Sequence, residues 1–424
     1  MDEAATQAPP SGTSTIQVRL TTRTETPISS TPIVIPTNVT RYTLSQILNH
    51  LLENPTPIPY SFLINSVYLP SSLDEYITSH GLSREEVLEI EYVRSVLPPQ
   101  WEASWTQDDW ISGVSVVNEN VVTASYDGIV RIWDWSGNVV AKANAGEGAL
   151  RPLKWIKWMN GGFVSGSMDG SLRVWDYQDG KISTRLEGRG HEASVDAGDY
   201  RDGKVISAGA DSTLRLWSAN PEGGEDAESV NVRKRRRTEA VVRYKAPLAT
   251  FTSPNGQPLT STTFHPVESS VAYSTSLSSH LYTHDLMHRS LEPISSSSFS
   301  APLLSMASLS SLSLLALGTT TNKIIIHDPR SDNISQHVLS GHEGFISALS
   351  SSPENNHMFA SGSYDGHVRV WDVRNPSGSI FKLSRDAKAG KILALDWHEK
   401  GLISGGQDGK LDIWRGNGGS MSKL

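Results

Sequence analysis

The residues of this chain that could do nucleophilic chemistry are a histidine, a serine and an aspartate that occur together twice, in the same order. In a hydrolase, an aspartate orients a histidine, and the histidine takes the proton of a serine that attacks a carbonyl carbon. Either set could do this chemistry only if the fold brings its side chains together in an open site. The two sets are His191, Ser207 and Asp211, and His342, Ser361 and Asp365.

The surroundings of both sets favour a structural role over a catalytic one. A tryptophan stands six residues after each aspartate, Trp217 in the first set and Trp371 in the second. The same spacing of hydroxyl, aspartate and tryptophan recurs three more times without a histidine. A polar set that repeats along a chain is typical of a scaffold that pairs buried polar groups. The additional copies are Thr123, Asp127 and Trp133; Ser165, Asp169 and Trp175; and Ser404, Asp408 and Trp414.

These copies belong to a repeat that ends at positions 134, 176, 218, 285, 328, 372 and 415. Its usual step of 42 to 44 residues and its Trp-Asp ending resemble those of WD-repeat proteins. The resemblance predicts an all-β, seven-bladed WD-repeat β-propeller over residues 96–418, with one four-stranded blade per repeat. Such blades are known for a hydrogen-bonded chain from Asp through His and Ser/Thr to the Trp N–H, so both sets are expected to form structural tetrads. We expect Tyr92–Leu97 to supply the outer strand of the last blade and so close the ring.

Two of the repeats have lost the tryptophan, and His284 and His327 stand in its place. His280, His284 and His288 recur every four residues, a spacing that on a helix would suggest a metal site. On a strand, residues four apart are separated by about 13 Å. That is too far for one zinc ion with bonds of about 2 Å, so no metal site is predicted here.

One step between repeats is 67 residues long because of an insertion at residues 219–244. Its polar composition without periodicity predicts a disordered loop. A basic cluster inside the insertion is either a solvated run of charges or a functional signal. In an acidic chain, a compact cluster of this kind favours nuclear import over an RNA contact. The cluster consists of Arg233, Lys234, Arg235, Arg236 and Arg237.

Residues 14–95 lack the repeat and follow an N-terminus, residues 1–13, that we expect to be disordered. Two strands are predicted first, and then a helix over Tyr42–Leu52 with Thr43 as its N-cap, because apolar residues recur there at helical spacing. Short strands and a turn of helix lead to a last strand at Val87–Val93. This order resembles that of a small α+β ubiquitin-like domain.

The composition argues against several classes of function. With no cysteine among 424 residues, the chain cannot form disulfides or thiolate zinc sites, which suits a reducing compartment. A formal net charge of −8 argues against broad nucleic-acid binding. No apolar stretch is long enough to span a bilayer, and no catalytic motif is found. We therefore expect no membrane association, no enzyme activity and no cofactor of the chain's own.

The arrangement of the whole chain resembles the WD-repeat ribosome-biogenesis proteins of the PeBoW assembly complex, and more distantly Notchless. The segments that carry this resemblance are Tyr42–Leu52, Glu91–Pro99 and Asp108–Trp110. The resemblance implies a non-catalytic assembly factor of the large (60S) ribosomal subunit, acting on precursors of 25S/28S and 5.8S rRNA in the nucleolus and nucleoplasm. The expected propeller partner is a block-of-proliferation-type WD-repeat protein, which in turn holds a pescadillo-type protein within pre-60S particles.

The same resemblance implies a role for the ubiquitin-like domain. In the family, this domain is gripped by the MIDAS domain of the AAA-type ATPase midasin, and a glutamate donated in trans completes the coordination of the partner's Mg²⁺. That glutamate lies in a Gly-Leu-Ser-x-Glu loop, which here is Gly81–Glu85. Glu85 is therefore the expected metal donor, and Glu86 is the runner-up.

A second class of function stays open from the sequence. Propellers often recognise substrates, and ubiquitin-like domains can dock on ligases or the proteasome, so the chain could be a ubiquitin-system substrate adaptor. The absence of an F-box-like helical region weakens this alternative. Co-purifying proteins would separate the two, because pre-60S factors indicate the first function and cullins or proteasome subunits indicate the second.

Overall fold

The computed structural model divides into two compact units, and the division falls between Leu97 and Pro98. Most of the described chain is β-strand, which confirms the predicted all-β class with a small α+β domain. No helix in the described ranges is long and apolar enough to cross a membrane. The structure describes residues 14–23, 27–28, 31–69, 72–83, 85–117, 119–145, 151–223, 225–226, 243–288, 292–331, 337–385 and 390–416.

The first unit is a five-stranded sheet with two helices. Its strand order is β2-β1-β5-β3-β4, with β1 and β5 parallel and the other pairs antiparallel. This is the roll expected of a ubiquitin-like domain. The elements are β1 (Thr15–Thr21), β2 (Ile33–Pro36), α1 (Arg41–Leu51), β3 (Tyr60–Ile64), β4 (Val67–Tyr68), α2 (Leu73–His80) and β5 (Leu88–Arg94).

Helix α1 begins one residue earlier than predicted, and its N-cap is Thr40, not Thr43. Thr40 has extended backbone angles, and its side-chain oxygen accepts the N–H of Thr43 at 3.5 Å. This is how an N-cap satisfies a free amide of the first turn. The helical spacing of apolar residues is confirmed, because Leu44 and Leu48 lie in the core of this unit.

The second unit contains seven sheets among its described residues, all antiparallel except for the parallel pairing of β14 (Lys181–Gly188) with β18 (Arg243–Lys245). The first strand of each sheet contacts the first strand of the next, and the last sheet contacts the first, so these strands form a ring. We number the sheets one to seven in the order of their first strands. Buried tryptophans pack between neighbouring sheets, as Trp217 of the third sheet does against Leu172 and Leu186 of the second.

The strands of the second unit, with one short 3-10 helix, have the following bounds. The first and second sheets and the closing strand comprise β6 (Gln100–Thr106), β7 (Ile111–Val117), β8 (Asn120–Ser125), β9 (Ile129–Asp134), β10 (Val139–Asn144), β11 (Leu153–Met159), β12 (Gly162–Ser167), β13 (Leu172–Gln178) and β14 (Lys181–Gly188). The third and fourth comprise β15 (Val195–Arg201), β16 (Lys204–Gly209), β17 (Thr213–Ser218), β19 (Ala249–Thr252), β20 (Leu259–Phe264), β21 (Val271–Ser276), β22 (His280–Asp285) and β23 (Ser295–Ser298). Strand β18 (Arg243–Lys245) lies between β17 and β19 in the chain but belongs to the second sheet. The fifth to seventh comprise β24 (Leu303–Leu309), the 3-10 helix (Ser310–Leu312), β25 (Leu314–Thr319), β26 (Lys323–His327), β27 (His337–Ser340), β28 (Ile346–Ser351), β29 (Met358–Ser363), β30 (His367–Asp372), β31 (Phe381–Ser384), β32 (Ile392–His398), β33 (Gly401–Gly406) and β34 (Lys410–Arg415).

The strand that closes the ring is not the predicted one. Strand β6 pairs with β34 and becomes the outer strand of the seventh sheet. Tyr92, which was expected to take part, belongs to β5 of the first unit and is fully buried there. The prediction failed because Tyr92 already fills the core of the first unit, where its neighbour Ile90 is also buried.

The end of the predicted loop at residues 219–244 is also ordered. Strand β18 pairs in parallel with β14 and adds a fifth strand to the second sheet. Lys245 forms an ion pair of 2.7 Å with Asp226, so the two sides of the insertion meet. The predicted loop therefore contains a strand near its end. Residues 227–242 and the N-terminal residues 1–13 lie outside the described residues.

Candidate functional site

The first His-Ser-Asp set forms a continuous hydrogen-bonded chain with its tryptophan. His191 Nδ1 lies 2.9 Å from Asp211 Oδ2, and His191 Nε2 lies 2.8 Å from Ser207 Oγ. The indole N–H of Trp217 donates to the same Ser207 oxygen at 2.7 Å. The serine hydroxyl is thus held between the imidazole and the indole, where no substrate can reach it.

The second set repeats this geometry. His342 lies 2.8 Å from Asp365 and 2.6 Å from Ser361, and Trp371 donates to Ser361 at 2.7 Å. The side chains of both histidines, His191 and His342, are 0% exposed. A buried Ser-His-Asp set without an opening has the arrangement of a scaffold and not of a hydrolase.

The two tetrad aspartates are held in the charged form. Burial alone would raise the pKa of Asp211 and of Asp365. Hydrogen bonds from the paired histidine and from the backbone N–H of the residue directly after that histidine outweigh the effect of burial. Both carboxyl pKa values therefore lie well below their usual range. These carboxylates contribute stability that is present above pH about 4 and is lost as the pH falls further.

The repeats without a histidine keep part of the same chain. Trp133 donates to Thr123 at 3.0 Å, and the Thr123 hydroxyl donates to Gln107 Oε1 at 3.3 Å. Trp175 donates to Ser165 at 2.9 Å. The pairing of indole and hydroxyl is therefore the constant element, and the histidine is one of several ways to extend it.

In the fourth sheet, His284 replaces the tryptophan and keeps the pairing. Its Nε2 lies 2.8 Å from Ser274 Oγ, and its Nδ1 has no hydrogen-bond partner in the described part of the chain. Burial lowers the pKa of His284 to about 4, so the ring is neutral near pH 7. His288 pairs with Asp285 instead. Among the described residues, no three His, Asp or Glu side chains are placed to hold a metal ion.

The first strands of the seven sheets line a channel of about 490 Å³. Side chains at equivalent positions of these strands reach the next sheet. Asp396 accepts the N–H of Val116 at 2.8 Å, and Asp199 accepts that of Phe264 at 3.1 Å. Lys157 occupies the same position in the second sheet. Its side chain is open to the solvent of the channel. The surrounding protein would lower the pKa of its ammonium group, but the charges of Asp199 and Asp396 outweigh this effect and raise the pKa.

Sequence reasoning missed these channel residues, although a signal was present. Ser115, Lys157, Asp199 and Asp396 each stand eight residues before the hydroxyl of their repeat. A polar residue at a fixed offset inside an otherwise apolar strand indicates a repeated polar contact. The signal was weak because the residue type changes from serine to lysine to aspartate.

Glu85 lies in the connection between α2 and β5. Helix α2 ends at His80 and is capped by Gly81, whose φ of 62° turns the chain in a left-handed conformation that favours glycine. Leu82 and Leu88 pack against the core at the two ends of the connection. Between them, the backbone N–H of Glu85 donates to Ser83 Oγ at 3.2 Å.

Both candidate carboxylates in this connection face solvent. Glu85 and its neighbour Glu86 are exposed. Neither side chain forms an ion pair with another described residue. A carboxylate presented in this way can bind a hard cation that is brought by another molecule. The predicted import cluster, Arg233–Arg237, lies outside the described residues.

Two family models match the chain. The NLE (NUC135) domain matches residues 16–77, and the WD domain, G-beta repeat, matches residues 102–134, 155–176 and 333–372. Together with the sheets described above, these matches define a WD-repeat propeller protein that carries an N-terminal NLE domain.

Several curated relatives match almost the whole chain. The ribosome biogenesis protein ytm1 of Schizosaccharomyces pombe is 38% identical, and the match covers 96% of this chain and 97% of the relative. YTM1 of Eremothecium gossypii is 36% identical over 91% of this chain and 93% of its own length, and YTM1 of Saccharomyces cerevisiae is 34% identical over 92% and 94%. The chain belongs to the Ytm1 family of ribosome biogenesis proteins.

Proposed function

We propose that the chain is a non-catalytic assembly factor of the large ribosomal subunit that links a partner-binding propeller to an external ATPase. It acts in the nucleolus and nucleoplasm on pre-60S particles, during maturation of 25S/28S and 5.8S rRNA. Membership in a ribosome biogenesis family supports this proposal. The buried tetrads support a scaffold role, because the histidines of both Ser-His-Asp sets are inaccessible.

The observation that carries the proposal is the placement of Glu85. The MIDAS domain of midasin would supply a Mg²⁺ with one open coordination position, and carboxylate oxygens are ligands that Mg²⁺ prefers. Glu85 offers such an oxygen on an exposed connection whose ends are fixed to the core by Leu82 and Leu88. The chain itself would hold no metal, and the donated carboxylate would complete the partner's site.

The propeller would bind a block-of-proliferation-type WD-repeat protein, and through it a pescadillo-type protein. A closed ring of sheets is a rigid body, which suits a part that passes a pulling force to neighbouring proteins. The basic cluster Arg233–Arg237 would direct nuclear import.

The test is a pull-down of the full chain by a purified midasin MIDAS domain in the presence of Mg²⁺. We expect Glu85→Ala and Glu85→Asp to abolish binding, because the first removes the ligand and the second shortens its reach. Glu86→Ala is the matched control and keeps binding, and EDTA removes binding of the unsubstituted chain. Propeller-dependent partners should still co-purify with every variant. Unchanged capture of Glu85→Ala would overturn the assignment, and loss only in Glu86→Ala would move it to Glu86.

A further inference from the structure

One face of the propeller carries the same main-chain hydrogen bond in every sheet. The residue directly after the second strand donates its N–H to the carbonyl oxygen of the residue directly before the first strand. The N···O distances range from 2.8 to 3.1 Å in the seven sheets of the described chain. From the first to the seventh sheet, the acceptor and donor residues are Trp110–Tyr126, Pro152–Met168, Ser194–Ala210, Pro258–Leu277, Pro302–Thr320, Phe345–Tyr364 and Lys391–Gln407.

This bond does not require aromatic side chains. It joins backbone atoms, and in the third sheet Ser194 and Ala210 form it at 2.9 Å with small side chains. In the first and sixth sheets, by contrast, both positions of the pair are aromatic. The ring centroids are 5.4 Å apart in Trp110–Tyr126 and 5.7 Å apart in Phe345–Tyr364. The fold therefore does not explain why these rings are present.

Three of the four rings are exposed and Tyr126 is half-buried, and the sheets that carry the two pairs are separated by one sheet around the ring. The exposed fraction is 41% for Trp110, 45% for Phe345 and 38% for Tyr364. The sixth and first sheets are both neighbours of the seventh. In the second sheet, next to the first, Met168 occupies the position equivalent to Tyr126 and is 46% exposed. We call this surface the aromatic arc; it consists of Phe345, Tyr364, Trp110, Tyr126 and Met168.

A lysine from the next sheet lies beside each aromatic pair, but only one of these two lysines has a charge that no described carboxylate pairs with. Lys154 Nζ lies 3.3 Å from the hydroxyl of Tyr126 and 3.6 Å from Asp196, so its charge is already paired. Lys391 Nζ lies 4.6 Å from the ring centroid of Tyr364. Lys391 is exposed and has no carboxylate partner among the described residues.

We propose that the aromatic arc binds a short segment of a partner protein in which a carboxylate stands next to aliphatic or aromatic side chains. The carboxylate pairs with Lys391, and the apolar side chains cover the rings of the sixth and first sheets. Contacts of this kind, with aromatic residues at the centre, supply most of the energy of protein interfaces. The inference rests on the proposed function only in that the propeller is the partner-binding part of the chain.

The charges on this face disfavour an RNA strand as the occupant. Single-stranded RNA also stacks on aromatic side chains, but it needs a positively charged groove for its phosphates. Asp108, beside Trp110, pairs with Arg131 at 3.3 Å and keeps a side chain that is 93% exposed, and Glu343, near Phe345, is exposed as well. A strand with a phosphate at every nucleotide would have to pass these carboxylates, whereas a peptide with a single carboxylate at Lys391 would not.

The experiment is a selection of displayed random peptides, about twelve residues long, on the full-length protein, followed by affinity measurements with synthetic copies of the selected peptides. We expect peptides in which Asp or Glu adjoins apolar residues, and we expect Trp110→Ala or Tyr364→Ala to weaken them by about tenfold or more. Leu277→Ala is the matched control, because Leu277 occupies the position of Tyr364 in the fourth sheet and is 41% exposed. This substitution should leave the affinity of the selected peptides unchanged. Lys391→Ala should weaken the acidic peptides but not copies in which the acid is replaced by its amide.

Several results would overturn the inference. One is a selection without such a consensus, and another is equal affinity of the peptides for the arc variants and the unsubstituted protein. A third is an oligouridine of about ten nucleotides that binds more tightly than the peptides and loses affinity in the same variants. Because the peptide assay contains no ribosome-assembly protein, its failure is distinguishable from failure of the proposed function, which the midasin pull-down tests separately.

Discussion

The buried histidine of the fourth sheet makes the stability of the propeller depend on pH in a predictable way. The pKa of His284 is about 4 in the folded chain, against 6.5 for an ordinary imidazole. Between these values the unfolded chain binds a proton at this residue and the folded chain does not. The contribution of the neutral His284 ring to stability is therefore fully present above the pKa of the unfolded chain, and it decreases as the pH falls toward 4.

The size of the effect follows from the two pKa values. Each pH unit in this window costs up to about 1.4 kcal/mol. Going from about pH 7.5 to about pH 5 should therefore remove about 2 kcal/mol from the free energy of unfolding. Other groups also titrate in this range, so the quantity to measure is the difference between the unsubstituted chain and a variant in which only this proton is lost. His284→Gln is that variant, since an amide can still bond to Ser274.

The assay is urea unfolding followed by tryptophan fluorescence at several pH values. All twelve tryptophans lie at or beyond Trp101, so the signal reports on the propeller unit alone. The stability gap between the unsubstituted chain and His284→Gln should shrink by about 2 kcal/mol between about pH 7.5 and about pH 5. His337→Gln is the control, because it makes the same exchange at an exposed strand position. A gap for His284→Gln that does not change with pH would refute the reasoning.

Two further substitutions test the buried polar contacts by the same unfolding assay. Ser207→Ala removes the oxygen shared by His191 and Trp217 and should lower the free energy of unfolding by about 1–3 kcal/mol, because two buried groups lose their partner. Ser207→Thr should recover most of this loss, and an alanine variant as stable as the unsubstituted chain would contradict the tetrad's structural role. Asp396→Ala removes the acceptor for the Val116 N–H between the seventh and first sheets and should also lower the free energy of unfolding by about 1–3 kcal/mol. Asp396→Asn should lower it less, and no loss of stability in either variant would show that this contact does not stabilise the ring.

The parts of the fold that were predicted from the sequence have local signals. Five of the seven propeller repeats carry a turn aspartate and a tryptophan at fixed offsets, so the strands around Asp211 or Asp365 could be placed without coordinates. The order of elements in the first unit follows in the same way from alternating and helical apolar patterns. In α1 the helix was found but its start was misplaced, because Thr40 and Thr43 are both plausible capping residues and only the backbone angles distinguish them.

The parts that were not predicted depend on pairing between distant segments. Strand β18 has only three residues, and its partner β14 lies in another repeat, so nothing within Arg243–Lys245 indicates a strand. The aromatic arc was missed for a related reason. Trp110 and Tyr126 flank the hairpin of β7 and β8, and the main-chain bond that brings them together places no demand on residue type.

The pairing of β6 with β34 has a consequence for how the protein is made. The indole N–H of Trp101 donates to Asp412 Oδ1 at 3.5 Å across this pair, and the two residues are separated by 311 positions. During synthesis, the first strand of the propeller unit leaves the ribosome long before its partner exists, and its edge stays unpaired until β34 has been translated. Closing a loop of this length has an entropic cost on the order of 5 kcal/mol, which must be met in the last step of folding. A nascent chain that terminates early would carry an open edge suited to aggregation, so protection of that edge by a chaperone during translation would benefit this protein more than one with local pairing.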